Sequence, residues 1–364
     1  MTVTLTGSDL SLDDVVEVAR GEAQVSLGPS VAERVARGRA IVESALGGDP
    51  VYGLTTGVDV RKRTRVGADD LAEFNRRLIL EHRVGQGDPA PRDVVRAQLL
   101  LVVNGFARGT SGIRLELVEH LVGALNTGVV PDVRLLGSIG MADLPANADL
   151  AHGVLDGFEL AAKEGLALLG SNAFSTALGA LALVDALRLL STLDVAAALD
   201  LEALAGNVSP LHDDPDFAAL LEGSYLCDAG AARNLQDPLS FRCIPQVRAA
   251  ARDAFAFARA RVERELNASQ ENPLVLLDEG RLISVGAFDA LPLGQALDVA
   301  RIGLAPLLTS ASERTIKLLQ SPVTRFASCT WTPAPSTSPR NSATRHSSPR
   351  SSTAGATWSR RGRT

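Results

Sequence analysis

The sequence predicts a mainly α-helical protein: a long central helix bundle with a small N-terminal region that carries loops. Three observations predict it. Ala, Leu, Val and Arg dominate while aromatic residues make up only 4 %, which favours helix over sheet. Segments with helical spacing of apolar residues follow one another along most of the chain. The segment 174–205 is apolar almost all round, as expected of a helix at the centre of a bundle.

The elements follow in order. Ser11-Leu12-Asp13-Asp14 is a capping-box-like start before Val15, Val16 and Val18, so a short helix opens there. A second helix runs from Pro29 through Leu46, with Val31, Val35, Ile41 and Leu46 on one side, and Gly47-Gly48-Asp49-Pro50 ends it. Tyr52-Gly53-Leu54-Thr55-Thr56-Gly57 fits neither helical nor strand period and reads as a loop. Helices over 69–83 and 92–107 are separated by a loop at Gly85-Gln86-Gly87-Asp88-Pro89, and another helix covers 113–126. Val129 to Leu136 is extended, because Pro131 blocks helix and the β-branched residues suit strand. Helices over 150–168, 174–205, 214–222, 243–268 and 291–319 then dominate, with a small hairpin at Leu274–Ser284.

The uncharged stretch Gly165 to Val184 could cross a bilayer on length alone. Ser171, Asn172, Ser175, Thr176 and the internal glycines make it a buried helix pair instead. From Arg325 onward there is no Leu, Ile or Val, so residues 325–364 are expected to be a disordered or out-of-frame tail. The expected organisation is an N-terminal region over 1–150, a central helical bundle over 151–324, and that tail.

Composition excludes several function classes. A net charge of −6 offers no basic surface for nucleic acid. The three cysteines have no metal-type spacing, and their low, odd number points to a reducing compartment. The first residues lack a basic start and an apolar run, so a cytoplasmic location is expected. The five histidines show no ligand spacing, so no metal is expected; His212-Asp213-Asp214 reads as a helix start. No Walker or dinucleotide glycine motif is present.

Several segments carry chemistry of a different kind. Gly137-Ser138-Ile139-Gly140-Met141-Ala142-Asp143-Leu144 is a glycine-punctuated frame closed by an acid. Val51-Tyr52-Gly53-Leu54-Thr55-Thr56-Gly57-Val58, Leu80-Glu81-His82-Arg83-Val84-Gly85-Gln86-Gly87 and Ala107-Arg108-Gly109-Thr110-Ser111-Gly112 precede it. Lys163-Glu164-Gly165-Leu166-Ala167-Leu168-Leu169, the long block from Gln236-Asp237-Pro238 through Arg242-Cys243 to Gln246-Val247, and Glu271-Asn272-Pro273-Leu274 follow. In this order they resemble the aromatic amino acid ammonia-lyases, most closely the histidine-specific branch, over about residues 1–324.

That resemblance implies the helical fold, assembly of four subunits with shared sites, and β-elimination from a small amino acid substrate. It implies neither a nucleic acid nor a membrane partner. Tyr52 matches the loop base; a free tyrosine has a pKa of about 10, so its site must lower that value. Arg242 matches the residue that grips the substrate carboxylate, a task that suits a guanidinium fork. His82 matches the position that reads the substrate side chain. Gln236, Asn272 and Phe288 match positions lining the pocket.

Relatives build an electrophilic methylidene-imidazolone ring from an Ala-Ser-Gly triad. Here Gly140, Met141, Ala142 and Asp143 form a remnant of that loop without the Ser, so no ring and no cofactor are expected. Thr110-Ser111-Gly112 does not replace the triad, because it matches an ordinary helix turn. The segment after the loop, Leu144 to His152, is also longer than in relatives. Gly170, Leu239 and Asp289 stand where relatives carry polar groups.

The expected function is that of an amino acid ammonia-lyase-like protein acting on a histidine-like or aromatic α-amino acid by β-elimination, without the ring. Two alternatives stay open. One is a ring-independent lyase whose substrate has a better leaving group or a more acidic proton. The other is a non-catalytic relative. Little or no turnover of histidine, tyrosine or phenylalanine is expected, since lost electrostatic stabilisation amounts to several kcal/mol.

Overall fold

A computed structural model describes residues 1–320, apart from Glu22 and Ala229. The expected tail at 325–364 lies outside the described residues.

The chain opens with strand β1 (Thr2–Leu5), helix α1 (Leu12–Ala19), strand β2 (Gln24–Leu27) and helix α2 (Val31–Ala45). The capping box forms: Asp14 N–H donates to Ser11 Oγ at 3.1 Å and Ser11 N–H to the Asp14 carboxylate at 3.0 Å. Strands β1 and β2 pair in parallel, an element that the sequence pattern does not announce. Helix α3 (Leu71–His82), strand β3 (Gln86–Pro89), helices α4 (Arg92–Ala107) and α5 (Leu115–Asn126) and strand β4 (Arg134–Leu136) follow. Gly85–Pro89 is therefore no simple loop. Its residues pair antiparallel with β4, which takes only the last part of the extended 129–136 segment.

The helix expected over 150–168 is two helices. Helix α6 (Leu144–Leu155) starts earlier and ends at Asp156 and Gly157, both in the left-handed region at φ 40° and 83°. Helix α7 (Glu164–Leu169) begins after Lys163, itself left-handed at φ 76°. Helix α8 (Ala173–Leu204) matches the expected 174–205 closely. Together α7 and α8 span the one described stretch, Glu164–Leu204, long and apolar enough to cross a membrane. The chain breaks at Gly170–Asn172, and Phe174, Ala177, Ala180, Leu181 and Leu183 pack into the core, as a buried pair requires.

The 214–222 segment is a short helix α9 (Pro215–Ala218) that tightens into a 3-10 turn. Helices α10 (Leu239–Arg242) and α11 (Ile244–Leu266), the hairpin β5 (Leu274–Leu276) and β6 (Arg281–Ile283), and helix α12 (Leu291–Leu318) complete the chain. Helix α4 is buried along nearly its whole length, and it packs on α8 and α1 while α11 and α12 pack on each other and on α8. One continuous core runs from Val3 to Leu307; a second cluster centres on Leu201, Phe217 and Phe241. A third unites Val42, Leu54, Ala162 and Val275.

One buried charge network ties the 209–218 region to the bundle. Arg248, 3 % exposed, donates to Asp194 at 2.7 and 2.8 Å and to Asp214, and lies 4.8 Å over the Phe217 ring. Arg252 adds a bond to Asp194 at 3.1 Å. Burial would raise the Asp194 pKa, but the two arginines outweigh it and hold the carboxyl below its ordinary value.

Candidate active site

The site residues fall into three groups. The first surrounds the remnant loop. Gly137–Asp143 leaves β4 and enters α6, and Gly140 and Ala142 both take positive φ, 82° and 48°. The loop is stitched to another segment by backbone bonds. Ala142 N–H donates to Phe288 O at 2.9 Å, Ala290 N–H donates to Gly140 O at 2.9 Å, and Met141 bridges Asp289 between them. Phe288, a candidate for the pocket lining, meets the loop through its backbone carbonyl.

Asp143 is fully buried, and its N–H donates to Ser171 O at 2.8 Å. Its carboxylate accepts the Ser138 hydroxyl at 2.6 Å, the Ser175 hydroxyl at 2.7 Å and the Ser175 N–H at 2.7 Å. It therefore sits at the N-terminus of α8, where free N–H groups and the helix dipole favour a negative charge. Ser138 and Ser175 were not among the residues expected to matter. A serine in the first turn of an otherwise apolar helix is the signal that marks Ser175.

Asn272 belongs to the same side. Its Oδ1 accepts Val285 N–H at 2.9 Å and the Ser284 hydroxyl at 3.3 Å, closing the base of the β5–β6 hairpin that leads to Phe288. In this arrangement Asn272 shapes the approach to Phe288, and its oxygen is already engaged.

The second group holds Tyr52 and His82. Val51 O accepts the N–H groups of Leu54, Thr55 and Thr56, while Val51 N–H donates to Thr55 Oγ1 at 2.9 Å, so the loop curls tightly on itself. Tyr52 is half-buried and its hydroxyl accepts Asp59 N–H at 3.1 Å. His82, also half-buried, ends α3 with Nδ1 2.7 Å from Leu78 O. That carbonyl can only accept, so Nδ1 carries the proton, and a neutral ring presents Nε2 as an acceptor. His82 borders an open pocket of about 510 Å³ with Val58, Asp59, Phe74 and Arg77. The turn after His82 also meets the first group: β3 pairs with β4 just before the loop, and Gly85 lies beside Gly137.

Gly53 is the hinge of this loop. It has φ +65°, and a Cβ there would stand 2.2 Å from Leu166 Cδ2. Gly53→Ala is expected to cost about 1–3 kcal/mol through overpacking and backbone strain. Urea unfolding measures it; an unchanged midpoint would show that the loop does not pack on α7.

The third group is Gln236 and Arg242. Arg242 Nε donates to Asp237 O at 2.8 Å, which fixes the guanidinium plane. With the Gln236 amide turned so that its oxygen faces the arginine, that oxygen accepts from both terminal nitrogens at 2.9 Å. The buried Asp237 carboxylate, held by Asn207 N–H at 2.6 Å and Asn234 at 3.1 Å, anchors the turn. The fork of Arg242 is thus filled by a neutral amide, a partner that a carboxylate would outcompete. Among the described residues no hydrogen bond joins this group to the other two.

Comparison with known proteins shows what the chain as a whole is similar to. The family model described as aromatic amino acid lyase matches residues 10–157 and 144–328. Histidine ammonia-lyase of Myxococcus xanthus is 36 % identical over 360 residues, covering 88 % of this chain and 71 % of the relative. That of Gloeobacter violaceus is 37 % identical over 360 residues, with 88 % and 70 % covered. Among solved structures, the ergothioneine-degrading ergothionase of Treponema denticola superposes with a TM-score of 0.84 at 29 % identity, covering 89 % of this chain and 73 % of that one. Histidine ammonia-lyase of Trypanosoma cruzi gives 0.79 at 30 % identity, with 90 % and 70 % covered.

Proposed function

Because the chain belongs to the aromatic amino acid lyase family, whose members cleave carbon–nitrogen bonds, we propose that it eliminates an amine from the N-methylated betaine of a histidine-like α-amino acid, without a ring electrophile. The observation that carries this reading is the remnant loop. Met141-Ala142-Asp143 has no hydroxyl to expel, and the N–H groups of Ala142 and Asp143 are already donated to Phe288 and Ser171. These residues do not fit the ring. By contrast Tyr52, His82 and Arg242 retain the residue types that bind and deprotonate such a substrate.

The chemistry then selects the leaving group. Ammonia departs poorly from a carbon that nothing activates. A quaternary ammonium already carries its positive charge and leaves as a neutral amine when it takes the Cα–N electron pair. Tyr52 as general base removes the β-proton, the new double bond forms between Cα and Cβ, and the products are an unsaturated acid and an amine. Arg242 exchanges Gln236 for the substrate carboxylate. His82 Nε2 accepts a hydrogen bond from the substrate ring. The likeness to ergothionase supports the betaine, since ergothioneine is itself a trimethylammonium betaine of a thiolated histidine. We further propose a cytoplasmic homotetramer in which neighbouring chains complete each site.

The test is amine release and ultraviolet absorbance with histidine, tyrosine, phenylalanine, histidine betaine and ergothioneine. Turnover of a betaine alone is expected. Rapid urocanate formation from histidine would overturn the proposal, and binding without any turnover would favour a non-catalytic relative.

A further inference from the structure

We propose that Lys163 is a positioning residue that pins the Tyr52 loop and the Asn272 turn into one unit, so that neither opens without drawing the lysine into water. Lys163 is 1 % exposed, and its Nζ donates to Ser111 O at 2.6 Å. The Ser111 hydroxyl donates in turn to the Glu271 carboxylate. Glu271 is 3 % exposed, and its other oxygen, Oε2, has no hydrogen-bond partner among the described residues. Ammonium, serine and carboxylate thus form a dry series.

The two loops hang on this series from opposite ends. Leu54 of the Tyr52 loop, Ala162 beside Lys163 and Val275 beyond Asn272 share one buried cluster. Gly53 rests on Leu166, three residues past the lysine. Glu271 immediately precedes Asn272, and Val275 N–H donates to Thr110 O at 2.9 Å, next to Ser111. Pulling either loop away breaks the packing that keeps Lys163 dry.

The charges around the lysine make the pin sensitive to pH. Burial pushes its pKa down to about 8; Glu271 opposes the shift and Arg39 of α2 adds to it. Arg39 itself donates to Ala162 O at 2.9 Å. Glu164 is occupied by Arg114 at 2.7 Å, and Arg108 by Gly7 O and Asn267 O at 2.7 and 2.8 Å, so neither offsets Lys163. An arginine could not act this way, because it does not titrate. An opening that hydrates Lys163 returns its pKa from about 8 to the ordinary 10.5, so it takes up a proton between those values and grows harder as pH rises through them. Below about 8 the lysine is charged in both states and pH has no grip.

The importance of this pin for catalysis rests on the proposed roles of Tyr52 and Asn272, but its test needs no turnover. The chain contains only three lysines, Lys62, Lys163 and Lys317, so lysine-selective carbon-13 labelling gives three side-chain signals to titrate. One should titrate near 8. Native-state hydrogen exchange, corrected for intrinsic rates, should show opening of residues 51–57 and 272–285 falling about tenfold per pH unit above that midpoint. Lys163→Met should abolish the slope in both segments. Ser111→Ala, which keeps the carbonyl bond to Lys163, should keep the slope and raise opening in both. The proposal fails if no lysine titrates below 9, if one segment alone carries the slope, or if the slope survives in Lys163→Met. Should that variant not fold, the wild-type titration and slopes decide alone. An inactive protein with coupled slopes would reject the proposed function and keep the pin; an active one without them would do the reverse.

Discussion

Replacing Tyr52 by Phe is expected to lower betaine turnover by about 10²- to 10⁴-fold, the usual contribution of a positioned general base. The fold should hardly notice. The hydroxyl accepts one bond, from Asp59 N–H at 3.1 Å in an exposed setting, so its loss costs at most about 1 kcal/mol. Steady-state kinetics beside urea unfolding separates the two effects. A variant that turns over at the wild-type rate would remove Tyr52 from the mechanism. The drop should fall mainly in kcat, because the base acts on the β-proton and the carboxylate grip lies elsewhere, at Arg242.

Replacing Arg248 by Met should have the largest effect on stability, about 3–5 kcal/mol, since it strips the shared partner from Asp194 and Asp214. Methionine fills the volume but leaves two carboxylates near each other against Phe217. The acid limb should change as well. In the wild type the Asp194 pKa is held below its ordinary value, so its contribution is present above that value and fades as pH falls through the lowered one. Without Arg248, burial dominates and Asp194 takes up a proton at higher pH. Chemical denaturation between pH 3 and 7 reads both the loss and the shift. A variant as stable as the wild type would mean that the network merely breaks even against packing.

Much of this architecture is legible because single residues decide it. Ser11 and Asp14 announce α1, and the all-round apolar 174–205 segment gives α8 to within a residue at each end. What stays hidden depends on partners distant in sequence. Strands β1 and β2 are four residues each, too short for a period to speak, and each exists only through the other. The break between α6 and α7 rests on left-handed Asp156 and Lys163, residues that helix propensity does not single out as stops. In the site, the motifs locate Tyr52, His82 and Arg242, yet motif order carries no distance. The structure adds that the turn after His82 meets the start of the remnant loop, Gly85 lying beside Gly137. Lys163 is legible only as part of a motif; its burial and its bond to Ser111 O depend on partners far along the chain.

The backbone stitching of Gly140–Ala142 to Phe288–Ala290 also bears on ring formation. Cyclising a loop requires two backbone atoms a few residues apart to bend toward each other. Here the amide of Ala142 and the carbonyl of Gly140 face outward into a second segment, so the loop is braced against that bend. A mutation restoring a serine alone would find the chain held open, and a mutation freeing the chain alone would find no serine. Building a ring at this loop would therefore take both changes at once, a serine and a backbone released from Phe288 and Ala290.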